Sequence, residues 1–188
     1  MRPTSLKGLI PKLAKAVGMT PAAIYERQRA LVHAGLLHPR SGRGPGSGVP
    51  ADAKSVAILL ISLLATGSLS EVEQQTRAIA NLKGRCPVTG KKTFVAALTA
   101  ALNSEELLAR ALLATVRRSG AVAMASITFL KNPIDEAPST PNFKEDAEQG
   151  QFGADYHTFY LESFAHLTVE ATINIWGALR GVELGATK

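Results

Sequence analysis

The chain has 188 residues, 46% of them hydrophobic and 19% charged, with one cysteine and a net charge of +6. That length supports one sizeable core or two small domains, and the balance of apolar and charged residues excludes an intrinsically disordered protein. A single Cys86 excludes an intrachain disulfide and fits a reducing compartment, so a cytoplasmic protein is expected.

Scarce aromatics and abundant Ala and Leu favour helices over an all-β design. Ser5–Ile10 reads as a first helix, and Pro11 sits where it can open a second, Lys12–Val17. Gly18 ends that helix as a residue free to take positive φ. Thr20 then reads as an N-cap, with Pro21 at the first helical position of a third helix running to about Ala34. Gly35 stops it, and residues 38–50, HPRSGRGPGSGVP, form a turn or flexible linker.

A second unit, 51–188, opens with Asp52 as the cap of AKSVAILLISLLAT, a nearly wholly apolar helix expected in the core or at a dimer interface. The run Ser55–Ser70 around it is too short and too interrupted to span a bilayer, so no membrane association is expected. No apolar stretch with a cleavage site follows the basic N-terminus, so no secretory signal is expected. Ser70-Glu71-Val72-Glu73 has capping-box spacing and predicts a helix to about Leu82. A basic loop, KGRCPVTGKK, leads to a helix over Thr93–Leu102, and Ser104 caps another through Val116. Ala121–Leu130 alternates between two mostly apolar faces and predicts a strand covered on both sides. Residues 131–155, with three prolines and six acids, read as a long loop, and Tyr156–Phe164 as a second strand. From Leu167 to about 180 the pattern fits both periods, with length favouring helix. The expected class is therefore α+β, mostly helical, with a small β element.

Charge is unevenly placed. Residues 1–48 carry Arg2, Lys7, Lys12, Lys15, Arg27, Arg29, Arg40 and Arg43 against Glu26 alone, whereas residues 131–188 are net acidic. A cationic N-terminal unit on a neutral body suits a polyanion partner.

The N-terminal pattern narrows that partner. Ala14 is small where two helices would touch, Gly18 suits the turn, and Leu13, Val17, Met19, Ile24 and Leu31 can pin both helices to a core. The spacing Ala14-x3-Gly18-x5-Ile24 resembles the helix-turn-helix superfamily. Its continuation, Ile24-x6-Leu31-x3-Gly35-Leu36-Leu37 before a basic Gly-rich stretch, resembles the winged branch found in bacterial and phage regulators. The resemblance covers residues 6–48, with 38–50 as wing or linker. Gln28 departs from it, standing where a core Leu is common, and HPRSGRGPGSG has no β-branched residues for wing strands.

The resemblance implies double-stranded DNA as partner, with the N-terminal part of the third helix in the major groove. Thr20, Ala22, Tyr25, Glu26 and Arg29 are then expected to face outward. Arg29 suits a guanine edge or a phosphate, Glu26 a cytosine amino group, and Ala22 or Ala23 a thymine methyl. Lys12, Lys15, Arg40 and Arg43 suit phosphates. One such module offers a small interface, so a homodimer on an inverted repeat is expected. The function expected is a transcriptional regulator, in style like those of phages or mobile elements. Alternatives are a DNA-recognition subunit of a phage packaging machine and a protein-interaction adaptor.

Signals for chemistry are weak. Gly84–Thr93 imitates a phosphate-binding loop, but five residues rather than four separate its glycines and Lys92 intervenes before Thr93. It reads as a basic turn with scope for phosphate contact through Lys91 and Lys92. His33, His38, His157 and His166 have no metal-site spacing with Cys86, and the acids of 131–155 read as solvated charge. No catalytic residue, metal or cofactor is expected.

Overall fold

The computed structural model describes residues 5–42, 48–119, 122–132, 147–153 and 163–167. They form an α+β fold in which helices pack on an antiparallel sheet.

Helix α1 spans Leu6–Val17 and runs straight through Pro11, so the two short helices expected on either side of that proline are one. The reason is a continuous buried stripe, Leu6, Leu9, Ile10, Leu13 and Ala14, that crosses the proline, while Pro11 itself faces outward. Gly18 ends α1 in the left-handed region at φ 67°, as expected. Helix α2 covers Pro21–His33, and the Thr20 hydroxyl accepts the Ala23 N–H at 3.2 Å. Met19, expected as a core pin, is exposed.

Past α2, Gly35 also takes φ 67° and turns the chain into an arm. Arg40 and Gly48 face each other in an antiparallel bridge, and Leu6 N–H donates to the Val49 carbonyl at 2.8 Å, tying the arm's return to the start of α1. Residues 43–47, Arg43 among them, lie outside the described residues.

Helix α3, Ala53–Ala65, is capped by Asp52, whose carboxylate accepts the Ser55 N–H at 2.7 Å. Ten of its residues are buried inside the chain, so α3 is spent on the core and its apolar surface is not available for dimerisation. Helix α4 spans Val72–Ala80, but the capping box expected at Ser70 does not form: Glu71 stands at the N-cap without a side-chain bond to the helix, its carboxylate instead accepting from the Thr66 hydroxyl at 3.1 Å, and Ser70 pairs with Ser68. Two-residue β1, Gly84–Arg85, precedes α5, Phe94–Asn103. Ser104 accepts the Leu107 N–H at 3.3 Å and starts α6, which ends at Arg110.

The expected helix through Val116 gives way there to strand β2, Ala111–Ser119. Its Ala114, Thr115 and Val116 are in register with Ile127, Ser126 and Ala125 of β3, Val122–Leu130. Pairing with a distant strand has overridden a local helical preference. Strand β4, Ala147–Gly153, lies in what read as loop, and β5 covers Ser163–Leu167. The strand expected over 156–164 is thus described only at its end, and residues 168–180 lie outside the described residues.

The sheet order is β1-β4-β3-β2-β5, every pair antiparallel. As expected, β3 is covered on both faces from Met124 to Leu130. Ala125, Ile127 and Phe129 share one face with the helical core. On the other, Thr115 and Ser126 share a buried hydrogen bond of 2.7 Å. One contiguous hydrophobic cluster runs from Leu6 of α1 through α3 and α5 to Phe152 of β4. No helix among the described residues is long and apolar enough to cross a membrane.

Candidate nucleic-acid interface

Helix α2 divides into two faces. Its buried stripe is Ile24, Arg27, Gln28 and Leu31, the i, i+3, i+4, i+7 pattern of a helix seated on a core. Two of those four are polar. Arg27 is 4% exposed and its Nη1 donates to the carbonyls of Ser62 at 2.6 Å and Thr66 at 2.8 Å, while Nη2 reaches the Gly67 carbonyl at 3.4 Å. These carbonyls belong to the last turn of α3 and the residues just beyond, where a helix has acceptors without intrahelical donors and a partial negative charge. Arg27 therefore caps α3 from α2. Burial holds its pKa below the usual arginine value, and among the described residues its Nε has no partner. Gln28 is 8% exposed and its Oε1 is likewise unpartnered among the described residues.

The outward face carries the residues expected there. Thr20, Ala22, Tyr25, Glu26 and Arg29 are all exposed, and His33 continues the stripe. Arg29 Nη1 bonds both carboxylate oxygens of Glu26, at 3.1 and 3.2 Å, with both side chains half or more exposed. Such a pair contributes only about 0.2–0.5 kcal/mol and opens readily. Lys7 Nζ stands 5.9 Å above the Tyr25 ring centroid, joining α1 to this face by a cation–π contact.

Of the expected phosphate contacts, Lys12 and Lys15 project from α1 and Arg40 from the arm, all exposed. None of the three has an ion pair among the described residues. Arg43 lies outside the described residues.

A cleft of about 330 Å³ separates α2 from the arm, walled by Tyr25, Gln28, Arg29 and Val32 on one side and Pro39 and Val49 on the other. The cleft and the α2 stripe thus share Tyr25 and Arg29. Sequence reasoning missed Arg27 as a structural residue. The signal was present, since Arg27 falls three residues after Ile24 and four before Leu31, on the stripe those two define.

The basic turn at 84–93 is an ordered hairpin rather than a nucleotide loop. Lys83 and Thr93 form an antiparallel bridge, Gly84 N–H donates to the Lys92 carbonyl at 3.0 Å, and Gly90 takes φ 68° at the tip. Cys86 is buried as a free thiol.

Compared with protein-family models, curated proteins and solved structures, the chain matches none.

Proposed function

We propose that the chain is a sequence-specific, double-stranded-DNA-binding transcriptional regulator of the winged helix-turn-helix kind, working in the cytoplasm as a homodimer and without catalytic activity. The observation that carries this reading is the exposed stripe Thr20, Ala22, Tyr25, Glu26 and Arg29 on a helix whose opposite face is anchored by Ile24, Arg27 and Leu31. Lys12 and Lys15 are exposed on α1, which packs on α2, Arg40 is exposed on the arm across the cleft from α2, and the antiparallel bridge in the arm supports the winged variant.

The recognition step follows from relative energies. Opening the exposed Glu26–Arg29 pair costs less than about 1 kcal/mol. A bidentate contact from Arg29 to a guanine O6 and N7 discriminates by about 1–3 kcal/mol, and Glu26 is then released to accept from a cytosine amino group. The internal pair keeps the stripe electrically quiet until base edges replace it. Lys12, Lys15 and Arg40 supply affinity independent of sequence by displacing counterions from phosphates. A single module buries about 600–1,000 Å² of protein surface on DNA, which makes a two-fold dimer on an inverted repeat the economical arrangement.

The test is enrichment of bound duplexes from a random pool by the full chain, followed by Arg29→Ala. The expected result is a defined consensus, and a loss of about 1–3 kcal/mol in the variant with relaxed preference at one base pair. Enrichment of no sequence would refute the reading.

A further inference from the structure

We propose that the hairpin Lys83–Thr93 is a second, sequence-independent contact for the phosphate backbone of double-stranded DNA. The inference rests on the reading of the chain as a duplex-DNA-binding protein, but on residues outside α2. Lys83, Arg85, Lys91 and Lys92 are all exposed, and among the described residues none of the four has an ion pair. The sequence has no acid between Glu73 and Glu105, so local carboxylates do not offset this charge. Arg85 is in register with the neutral Gln151, whose own amide bonds Gln149. Four cations on ten residues, none ion-paired among the described residues, repel one another, an arrangement that a polyanion relieves.

The cations are also held in place. Gly84 and Cys86 N–H groups donate to the carbonyls of Lys92 and Lys91 at 3.0 and 3.1 Å, and Gly153 N–H donates to the Lys83 carbonyl at 2.8 Å. Beneath them, Gly150 lies so close to Cys86 that a Cβ there would stand 2.8–2.9 Å from its atoms. The hairpin is thereby clamped to the sheet edge with its backbone fixed, which lowers the ordering cost of a phosphate contact. Its place relative to α2 suits one ligand. Arg77 of α4 donates to the Ala34 carbonyl at the end of α2 at 3.2 Å. Lys83 follows Arg77 by six residues, three to the end of α4 at Ala80 and three beyond it, so their Cα atoms stand at most ~16 Å apart (~4.5 Å of helical rise plus ~11 Å of extended chain), which is short against the ~34 Å of one duplex turn.

The experiment measures binding of the full chain to labelled duplex DNA by fluorescence anisotropy across a series of salt concentrations. Lys91→Gln/Lys92→Gln is expected to make the log–log salt slope shallower by about 1.8, and to weaken binding at low salt by tens of fold on any sequence. Lys91→Arg/Lys92→Arg keeps wild-type binding. Lys54→Gln/Lys131→Gln removes the same net charge at other exposed positions and is expected to leave the slope nearly unchanged. A wild-type slope in Lys91→Gln/Lys92→Gln, or an equal loss in Lys54→Gln/Lys131→Gln, overturns the hairpin proposal while an Arg29→Ala effect leaves the α2 reading standing. If the wild type binds no duplex even at low salt, both fall. If the hairpin variant loses affinity and Arg29→Ala does not, the hairpin stands and the α2 reading falls.

Discussion

Arg27→Ala would separate the two roles an arginine on α2 can play. In the fold, its guanidinium makes two short bonds, 2.6 and 2.8 Å, to the carbonyls of Ser62 and Thr66 and a longer one to Gly67. A hydrogen bond to a charged group contributes about 1.5–3 kcal/mol, so the two short ones together contribute about 3–6. Against this stands the cost of keeping a guanidinium buried with its Nε unpartnered among the described residues, about 1–3 kcal/mol, which truncation relieves. Taking like ends of the two ranges, the net expected loss of stability is about 2–3 kcal/mol. With a urea m-value of about 2 kcal/mol/M, the unfolding midpoint falls by about 1–1.5 M. Arg27→Lys retains a charge but loses the planar fork and is expected to fall between. Urea unfolding followed by circular dichroism reads this directly, and residual duplex binding of the still-folded variant is measured under the same buffer. An Arg27→Ala protein with the wild-type midpoint but reduced DNA affinity would refute the capping role and place Arg27 on the DNA instead.

Three further outcomes follow from single atoms. Gln28→Leu removes a buried acceptor that has no donor among the described residues, and is expected to raise stability by about 1 kcal/mol by urea melt; a loss above 1 kcal/mol would show that Gln28 Oε1 is satisfied. Gly84→Ala drives a Cβ into the Gln151 carbonyl oxygen, a backbone atom that cannot swing away, and is expected to cost about 2 kcal/mol or more. Unchanged stability of that variant would mean β1 does not lie on β4 as described. Cys86 is fully buried, so a thiol reagent should label it only after denaturant is added, and rapid labelling of the folded chain would contradict the packing of the hairpin.

What the sequence revealed was whatever depended on near neighbours. Thr20, Pro21 and Gly35 delimit α2, and Asp52 caps α3, because capping chemistry acts within three or four residues. The strand over Val122–Leu130 was legible because its alternation is unbroken. Features set by distant partners were not. Ala111–Ser119 contains good helix formers, yet Thr115 and Val116 serve a ladder with β3. In β4, Glu148, Gln149 and Gln151 hide a strand whose small Gly150 exists to admit Cys86 from the hairpin. Pro11 misled because the rule for helix starts ignores the stripe that continues beneath it. In the site, the exposed positions of α2 followed from Ile24 and Leu31 facing in. The burial of Arg27 follows from the same stripe, but the reason a guanidinium can stand there does not, because the acceptors that satisfy it lie some forty residues away.

Whether α2, α1 and the arm present a surface for duplex DNA is read most directly from the affinity of the wild-type chain for duplex DNA as a function of salt. With Lys12, Lys15 and Arg40 each neutralising a phosphate, log Kd should change linearly with log salt with a slope of magnitude about 2.7 or more. No binding at about 50 mM salt, or affinity that salt does not alter, would contradict it.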